Sequence, residues 1–270
     1  MSVHLLLIDP QNDFCDQPGA ALPVAGATAD LQRVAQLIAR LGERLAAIHV
    51  TLDTHQPLDI AHPVWWRDAA GNPPAPFTVI TANEVHAGIW LARDPAQQAA
   101  SVAYVDALAA SGKYQLVIWP EHCLAGSPGH AVQPDVLAAL HNWSRSQLKT
   151  VNFVSKGMNP RTEHYSAIQA EVPDPQDAAT RPDDAWLAQL AQADTLLIAG
   201  EALSHCVAST VRDLAAQLPD RIDRFVLLTD CSSPVAGFEA LGKAFVAEVA
   251  NQGMTLATSD NLAVGTISAA

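Results

Sequence analysis

Short apolar runs recur along the chain, each ending on a polar turn, with longer amphipathic stretches between them. The runs are HLLLID (4–9), RLAAIHVTLD (44–53), QLVIWP (115–120), TVNFVSK (150–156), TLLIAG (195–200) and FVLLTD (225–230), with MTLATS (254–259) as a further candidate. Within a run the apolar residues mostly follow one another instead of alternating with polar ones. That is the pattern of parallel strands covered on both faces. The stretches 27–43, 131–147, 183–192, 205–217 and 236–252 carry helical spacing. Strand and helix alternating in this way predict an α/β chain, a doubly wound (Rossmann-like), mostly parallel sheet with helices on both faces.

One segment breaks the alternation. Residues 54–113 are long for a connection, hold the proline-rich GNPPAPFTV and contain Trp65, Trp66 and Trp90. We read this segment, from about 63 to 113, as an insertion folding over one edge of the sheet, within a single domain spanning 1–270. Its tryptophans predict either a cover over the pocket mouth, a subunit contact, or a satellite core beneath a long loop.

Composition narrows the function classes. Of 270 residues 49% are apolar, enough for a substantial core, and the formal net charge is −13. A nucleic-acid or anionic-membrane partner needs clustered Lys and Arg, so neither is expected. Cys15, Cys123, Cys206 and Cys231 are widely spaced with no C-x-x-C pair, which argues against a zinc knuckle or a disulfide framework. The N-terminal MSVHLLLIDPQ lacks a basic region and a long apolar stretch, so a cytoplasmic location is expected.

The chemistry collects where the strands end. The first run delivers Asp9, the second Asp53 and His55, the third His122, the fourth Lys156 and the fifth Cys206. In open α/β sheets ligands bind outside the carboxyl ends of the strands. Taken singly, Asp9 is ordinary turn chemistry, Lys156 a surface charge and Cys206 a small buried hydrophobe. Taken together they supply a general base, an electrostatic activator and a nucleophile at a strand-to-helix turn. Asp53 and His55 are two apart, so both side chains can point the same way from a strand end. With His122 they offer one oxygen and two nitrogens to a divalent metal, and His62 is a further candidate ligand or a supporting partner. His4, His49, His86, His130 and His141, and the other three cysteines, are read as structural.

The motifs IDPQNDFC, TLDTH, WPEHC, SKG and GEALSHCVASTVRDL, in this order, resemble the nicotinamidase/pyrazinamidase branch of the isochorismatase-like cysteine hydrolases. The resemblance covers 1–62 and 114–260. It implies a six-stranded parallel sheet and an Asp–Lys–Cys triad falling on Asp9, Lys156 and Cys206. It places metal ligands on Asp53, His55 and His122, with zinc expected ahead of iron or manganese. It implies an oxyanion hole from the N–H groups of Ala202 and Cys206, and a cis peptide between Glu201 and Ala202. Pocket walls would be Phe14, Trp119, Tyr165 and His205. The activity implied is hydrolysis of a small primary amide, nicotinamide-like, to an acid and ammonia, as in NAD salvage, by a homo-oligomer. Other amides, carbamoyl amides or vinyl ethers are the alternative substrates within the same fold family. Two departures stand out: the long 63–113 segment, and Glu201 where that branch usually has an apolar residue. Glu201 is therefore expected to face the substrate ring and to alter recognition.

Overall fold

The computed structural model describes residues 2–262. Residue 1 and residues 263–270 of the expected domain lie outside the described residues. In chain order the strands are β1 (Val3–Ile8), β2 (Leu45–Asp53), β3 (Trp66–Arg67), β4 (Val79–Ile80), β5 (Leu91–Ala92), β6 (Leu116–Val117), β7 (Asn152–Lys156), β8 (Thr195–Gly200), β9 (Phe225–Leu228) and β10 (Thr255–Ala257). The helices are α1 (Ala27–Leu41), α2 (Ala82–His86), α3 (Gln98–Ser111), α4 (Pro134–Gln147), α5 (Asp184–Leu190), α6 (Ala208–Gln217) and α7 (Glu239–Asn251).

Six strands form one sheet in the order β10-β9-β8-β1-β2-β7, and every pairing is parallel. β1 lies between β2 and β8, with Leu7 beside Val50 on one side and Ala199 on the other. The two faces of this strand divide the core. Leu5 and Leu7 pack with Leu31, Val34 and Ile38 of α1 and with Val136 and Leu140 of α4. Leu6 and Ile8 pack with Val211 of α6, Phe245 of α7 and Trp186 of α5. That alternation is the period-two geometry of a strand buried on both sides. From β1 the chain builds outward through α1, β2 and β7, then returns to lay β8 on the other side of β1. The carboxyl end of β1 is thus the point where the direction of winding reverses, the usual place for a binding crevice.

The run at 115–120 corrects one expectation. It is not a strand of the main sheet, because β2 pairs directly with β7 and leaves no slot. Its residues 116–117 instead pair antiparallel with β4. Beyond them, Ile118 N–H donates to Thr78 O (2.8 Å) and Trp119 N–H to Ala61 O (2.8 Å). The apolar side chains of this run are buried, as a core strand's would be, but its backbone is satisfied by the insertion and by Ala61 just before it.

The insertion itself packs inward. Trp65 and Trp66 are buried in the same apolar cluster as Leu6 and Ile8. Their indole N–H groups are used, Trp65 on Ser101 Oγ (3.0 Å) and Trp66 on Ile60 O (2.7 Å). Among the described residues no helix is long and apolar enough to cross a membrane.

Candidate active site

Asp9 is the first residue past β1 and has a left-handed backbone (φ 44°), a conformation Asp tolerates better than most residues. Its N–H donates to Thr51 Oγ1 (3.0 Å), and the Thr51 hydroxyl donates back to Asp9 Oδ1. The carboxylate is fully buried and held in one orientation. On β7, Lys156 reaches across β2. Its Nζ lies 3.0 Å from Asp9 Oδ2 and 3.0 Å from Asp53 Oδ1, and it donates to His164 O (2.9 Å). The fourth neighbour of this ammonium is Cys206 Sγ at 3.6 Å. Asp9, Asp53 and Cys206 converge closely enough to suggest a metal cluster, but the Lys156 ammonium contacts all three and fills that role.

Backbone geometry brings β8 to this point. Gly200 (φ 116°) lies so close to β1 that a Cβ there would sit 1.9 Å from Ile8 O. The Glu201–Ala202 peptide is cis, and a single widened turn, Leu203–Val207, then presents Cys206 just ahead of α6. The carbonyl of Ala202 is taken up by the N–H groups of His205 and Val207 (3.1 Å each).

Charge is distributed unevenly in this buried cluster. Burial acts to lower Lys156, but the Asp53 and Asp9 carboxylates override it and hold the amine well above its ordinary range. Burial pushes the Cys206 thiol well up; Lys156 opposes this, and Asp9 and Asp53 add to it. Asp9 is itself raised by burial, against the pull of Lys156. Both directions favour keeping the Cys206 proton on sulfur at rest, with Asp9 beside it more basic than an ordinary carboxylate.

The other oxygen of Asp53 faces a histidine cluster. Asp53 Oδ2 is 3.1 Å from His55 Nε2 and 3.5 Å from His122 Nε2. Burial would raise Asp53, but His55 and Lys156 hold it well below its ordinary value. The rings of His55, His62 and His122 lie with centroids 4.8–5.7 Å apart. Each imidazole makes a contact through Nδ1: His55 with Asp59 (3.0 Å), His122 with Pro120 O (2.8 Å) and His62 with Pro57 O (3.3 Å). For His62 and His122 such contacts to an acceptor favour a proton on Nδ1 and leave Nε2 available as a ligand; at His55, burial acts to lower the ring but Asp53 and Asp59 hold it well above its ordinary value. Burial lowers His62 to about 4, so it is neutral, and its Nε2 is buried without a hydrogen-bond partner. A buried polar atom with no partner is costly, and coordination would relieve it. The donor set, one carboxylate oxygen with imidazole nitrogens, fits a divalent zinc, iron or manganese ion.

Between the thiol and the histidines lies a narrow cleft. Phe14, Trp119, Tyr165 and His205 all line it, with Glu163, Leu22 and Val235 completing the wall. Trp119 Nε1 donates to Tyr165 Oη (2.9 Å), which fixes both rings. His205 is lowered to about 4 by burial and is packed by the rings of Tyr114, Trp119, Tyr165 and Phe238. Glu201 departs from the expectation. It is fully buried and points away from the cleft, its Oε2 accepting from Ser233 N–H (3.1 Å). Immediately after Gly200 the side chain is directed behind the turn, toward α1, so it has no access to a substrate ring.

Four residues of the site were not singled out from the sequence. Thr51 orients Asp9, and its signal was available, since it lies two before Asp53 on the same strand face. Gln11 clamps the backbone of Asp53 from both sides, accepting from its N–H (2.7 Å) and donating to its carbonyl (2.8 Å). Asp59 positions His55. Glu163 lines the cleft with Oε2 unpartnered, and nothing in its local sequence marks it.

No protein-family model matches the sequence, and no curated protein matches it. Solved structures do. A nicotinamidase/pyrazinamidase from Acinetobacter baumanii aligns with TM-score 0.64 at 20% identity, over 97% of this chain and 98% of its own. A pyrazinamidase from Pyrococcus horikoshii, solved in complex with zinc, aligns with TM-score 0.55 at 19% identity, over 96% and 99%. An isochorismatase family protein from Desulfovibrio vulgaris aligns with TM-score 0.53 at 18% identity, over 97% and 96%. The six-stranded parallel sheet with its two helical layers is therefore the isochorismatase-like α/β fold, the one shared by nicotinamidases and pyrazinamidases.

Proposed function

We propose that this protein is a metal-dependent cysteine amidohydrolase that cleaves a small, nicotinamide-like primary amide to its acid and ammonia. One observation carries the reading: a buried lysine ammonium touches two carboxylates and a cysteine thiol at the base of an aromatic cleft. A structural ion pair needs neither the thiol nor the cleft.

The chemistry follows from the positions. Asp9 takes the Cys206 proton as the sulfur attacks the amide carbon; its raised basicity suits it to that task, and Lys156 stays close to both developing charges. In this reading the N–H groups of Ala202 and Cys206 hold the oxyanion of the tetrahedral intermediate. Asp9 then delivers its proton to the departing ammonia. Water enters, Asp9 removes its proton as the oxygen attacks, and when the thioester opens Asp9 returns that proton to the sulfur, giving acid and free thiol. Phe14, Trp119 and Tyr165 provide flat apolar walls for a ring and exclude bulk water. Asp53, His55 and His122, with His62 as a further ligand, would hold a divalent ion, which would supply a Lewis-acidic anchor for a ring heteroatom.

The test is ammonia release from a panel of heteroaromatic and aliphatic primary amides, with Cys206→Ala as the control. Turnover of at least one heteroaromatic amide and its loss in the folded variant support the proposal. Near-wild-type turnover by Cys206→Ala would eliminate the covalent route.

A further inference from the structure

Behind the catalytic turn, on the side away from the cleft, lies a second pair of buried acids. Glu201 is fully buried and Asp30 of α1 is 3% exposed. Ser233 joins them: its N–H donates to Glu201 Oε2 (3.1 Å) and its hydroxyl to Asp30 Oδ2 (2.5 Å). The same serine's carbonyl accepts from Leu203 N–H (2.8 Å), and Glu201 N–H donates to Ile8 O (2.8 Å). Ser233 is close enough to α1 that a Cβ on Gly26 would lie 2.9 Å from its hydroxyl.

The charges around this pair do not balance if both acids ionise. Facing them are Arg33 on α1, Asp16 and Cys15 on the loop after β1, and Asp230 at the end of β9. Among the described residues the cation paired with this group is Arg33, bound to Asp30 and shared with Asp230. With Arg33 paired to one acid, ionising both would leave a buried negative charge uncompensated, so one acid keeps a proton. Arg33 neutralises Asp30, which leaves Glu201 as the acid. Its Oε1 is buried with no hydrogen-bond partner while Asp30 is held beside it by the same Ser233, which suits a donating O–H.

We propose that Glu201 is a positioning residue, a carboxylic acid that donates its Oε1 proton to Asp30 and so clamps the Ala202–Cys206 turn to α1 and to the 231–235 loop. The clamp fixes one end of the peptide that supplies the Ala202 N–H donor, and the other end is tied through Ser233 to Leu203. It touches no substrate atom. Its effect falls on the rate of the chemical step and not on how tightly a ring is held.

Two measurements test this, and only the kinetic one rests on the amide-hydrolysis reading. Infrared difference spectra of wild type against Glu201→Gln at neutral pH should contain a protonated-carboxyl stretch assignable to Glu201. Its absence would mean that Glu201 is ionised and the clamp is wrong. In kinetics, Glu201→Leu should lower kcat about a hundredfold, the scale of losing one oxyanion donor, with KM within about threefold. Glu201→Gln, which keeps a donor toward Asp30, should restore kcat to within about threefold of wild type. Wild-type kcat in Glu201→Leu overturns the proposal, as does a Glu201→Gln variant no better than Leu. If Glu201→Leu does not fold, the spectrum and the Gln variant still decide. If wild type turns over no amide at all, the functional reading fails and the spectrum alone judges the clamp.

Discussion

Asp59 is a small residue with a defined task. Its Oδ2 contacts His55 Nδ1 and its Oδ1 accepts from Ala61 N–H (2.9 Å), so one carboxylate sets both the ring and the loop that carries it. Removing such a support from a metal-binding histidine typically costs about ten- to a hundredfold in affinity. Asp59→Asn should therefore weaken zinc binding by that amount, read by titrating chelator-treated protein against a competing metal indicator. Unchanged affinity would mean that His55 is not a ligand or needs no orientation. Asp9, Lys156 and Cys206 were legible at this scale because each follows or ends a run of apolar strand residues. Asp59 and Glu163 were not, since nothing distinguishes an acid in a loop from a solvated one until its neighbours are known. Glu201 was misplaced because sequence order cannot tell which side of a turn a residue takes after a glycine at φ 116°.

At the scale of elements, the turn after β7 shows how little room the site has. Gly157 follows Lys156 at φ 82°, and a Cβ there would stand 2.9 Å from Asp53 Oδ1, the oxygen that receives Lys156. Gly157→Ala should cost about 1–2 kcal/mol in stability from the left-handed backbone alone. It should also lower kcat/KM about a hundredfold by displacing the carboxylate. Urea unfolding and ammonia release check the two parts separately; a variant with native activity would show that Asp53 yields freely. The insertion is bound to the same place. Trp66 is fully buried and its N–H holds Ile60 O, between His55 and His62. Trp66→Ala should cost about 3–5 kcal/mol. A loss below about 1 kcal/mol in urea would mean that the insertion is not part of this core. The strands of the sheet were legible because their apolar runs are continuous. The 115–120 run misled for the same reason: buried loop and buried strand share that pattern, and only backbone pairing separates them.

For the molecule as a whole, a partly buried acid sets a dependence on pH. Burial pushes Glu171 up to about 8, with Lys113 opposing and Asp213 adding to it. In the unfolded chain the same carboxyl titrates near its ordinary value of 4.5. Below that value both states hold the proton and there is no difference between them. As pH rises above it, the unfolded state releases its proton while the folded state keeps it, so stability falls until the folded group also ionises near 8. Glu171→Gln removes this loss. The gap in denaturation midpoint between variant and wild type should widen in favour of the variant from pH 5 to pH 8, the window set by those two values. A gap constant with pH would mean that Glu171 ionises freely in the folded protein.

Asp53 serves two masters, one oxygen on Lys156 and the other on the histidines. In terms of descent, a single codon governs both the lysine's partner and any ion the histidines would hold. A mutation there silences both at once, so drift at this position has no intermediate that keeps half a site. His55, His62 and His122 carry no such double duty. A lineage adapting to a scarce metal would find its variation in those three, and the acid would stay where the lysine holds it.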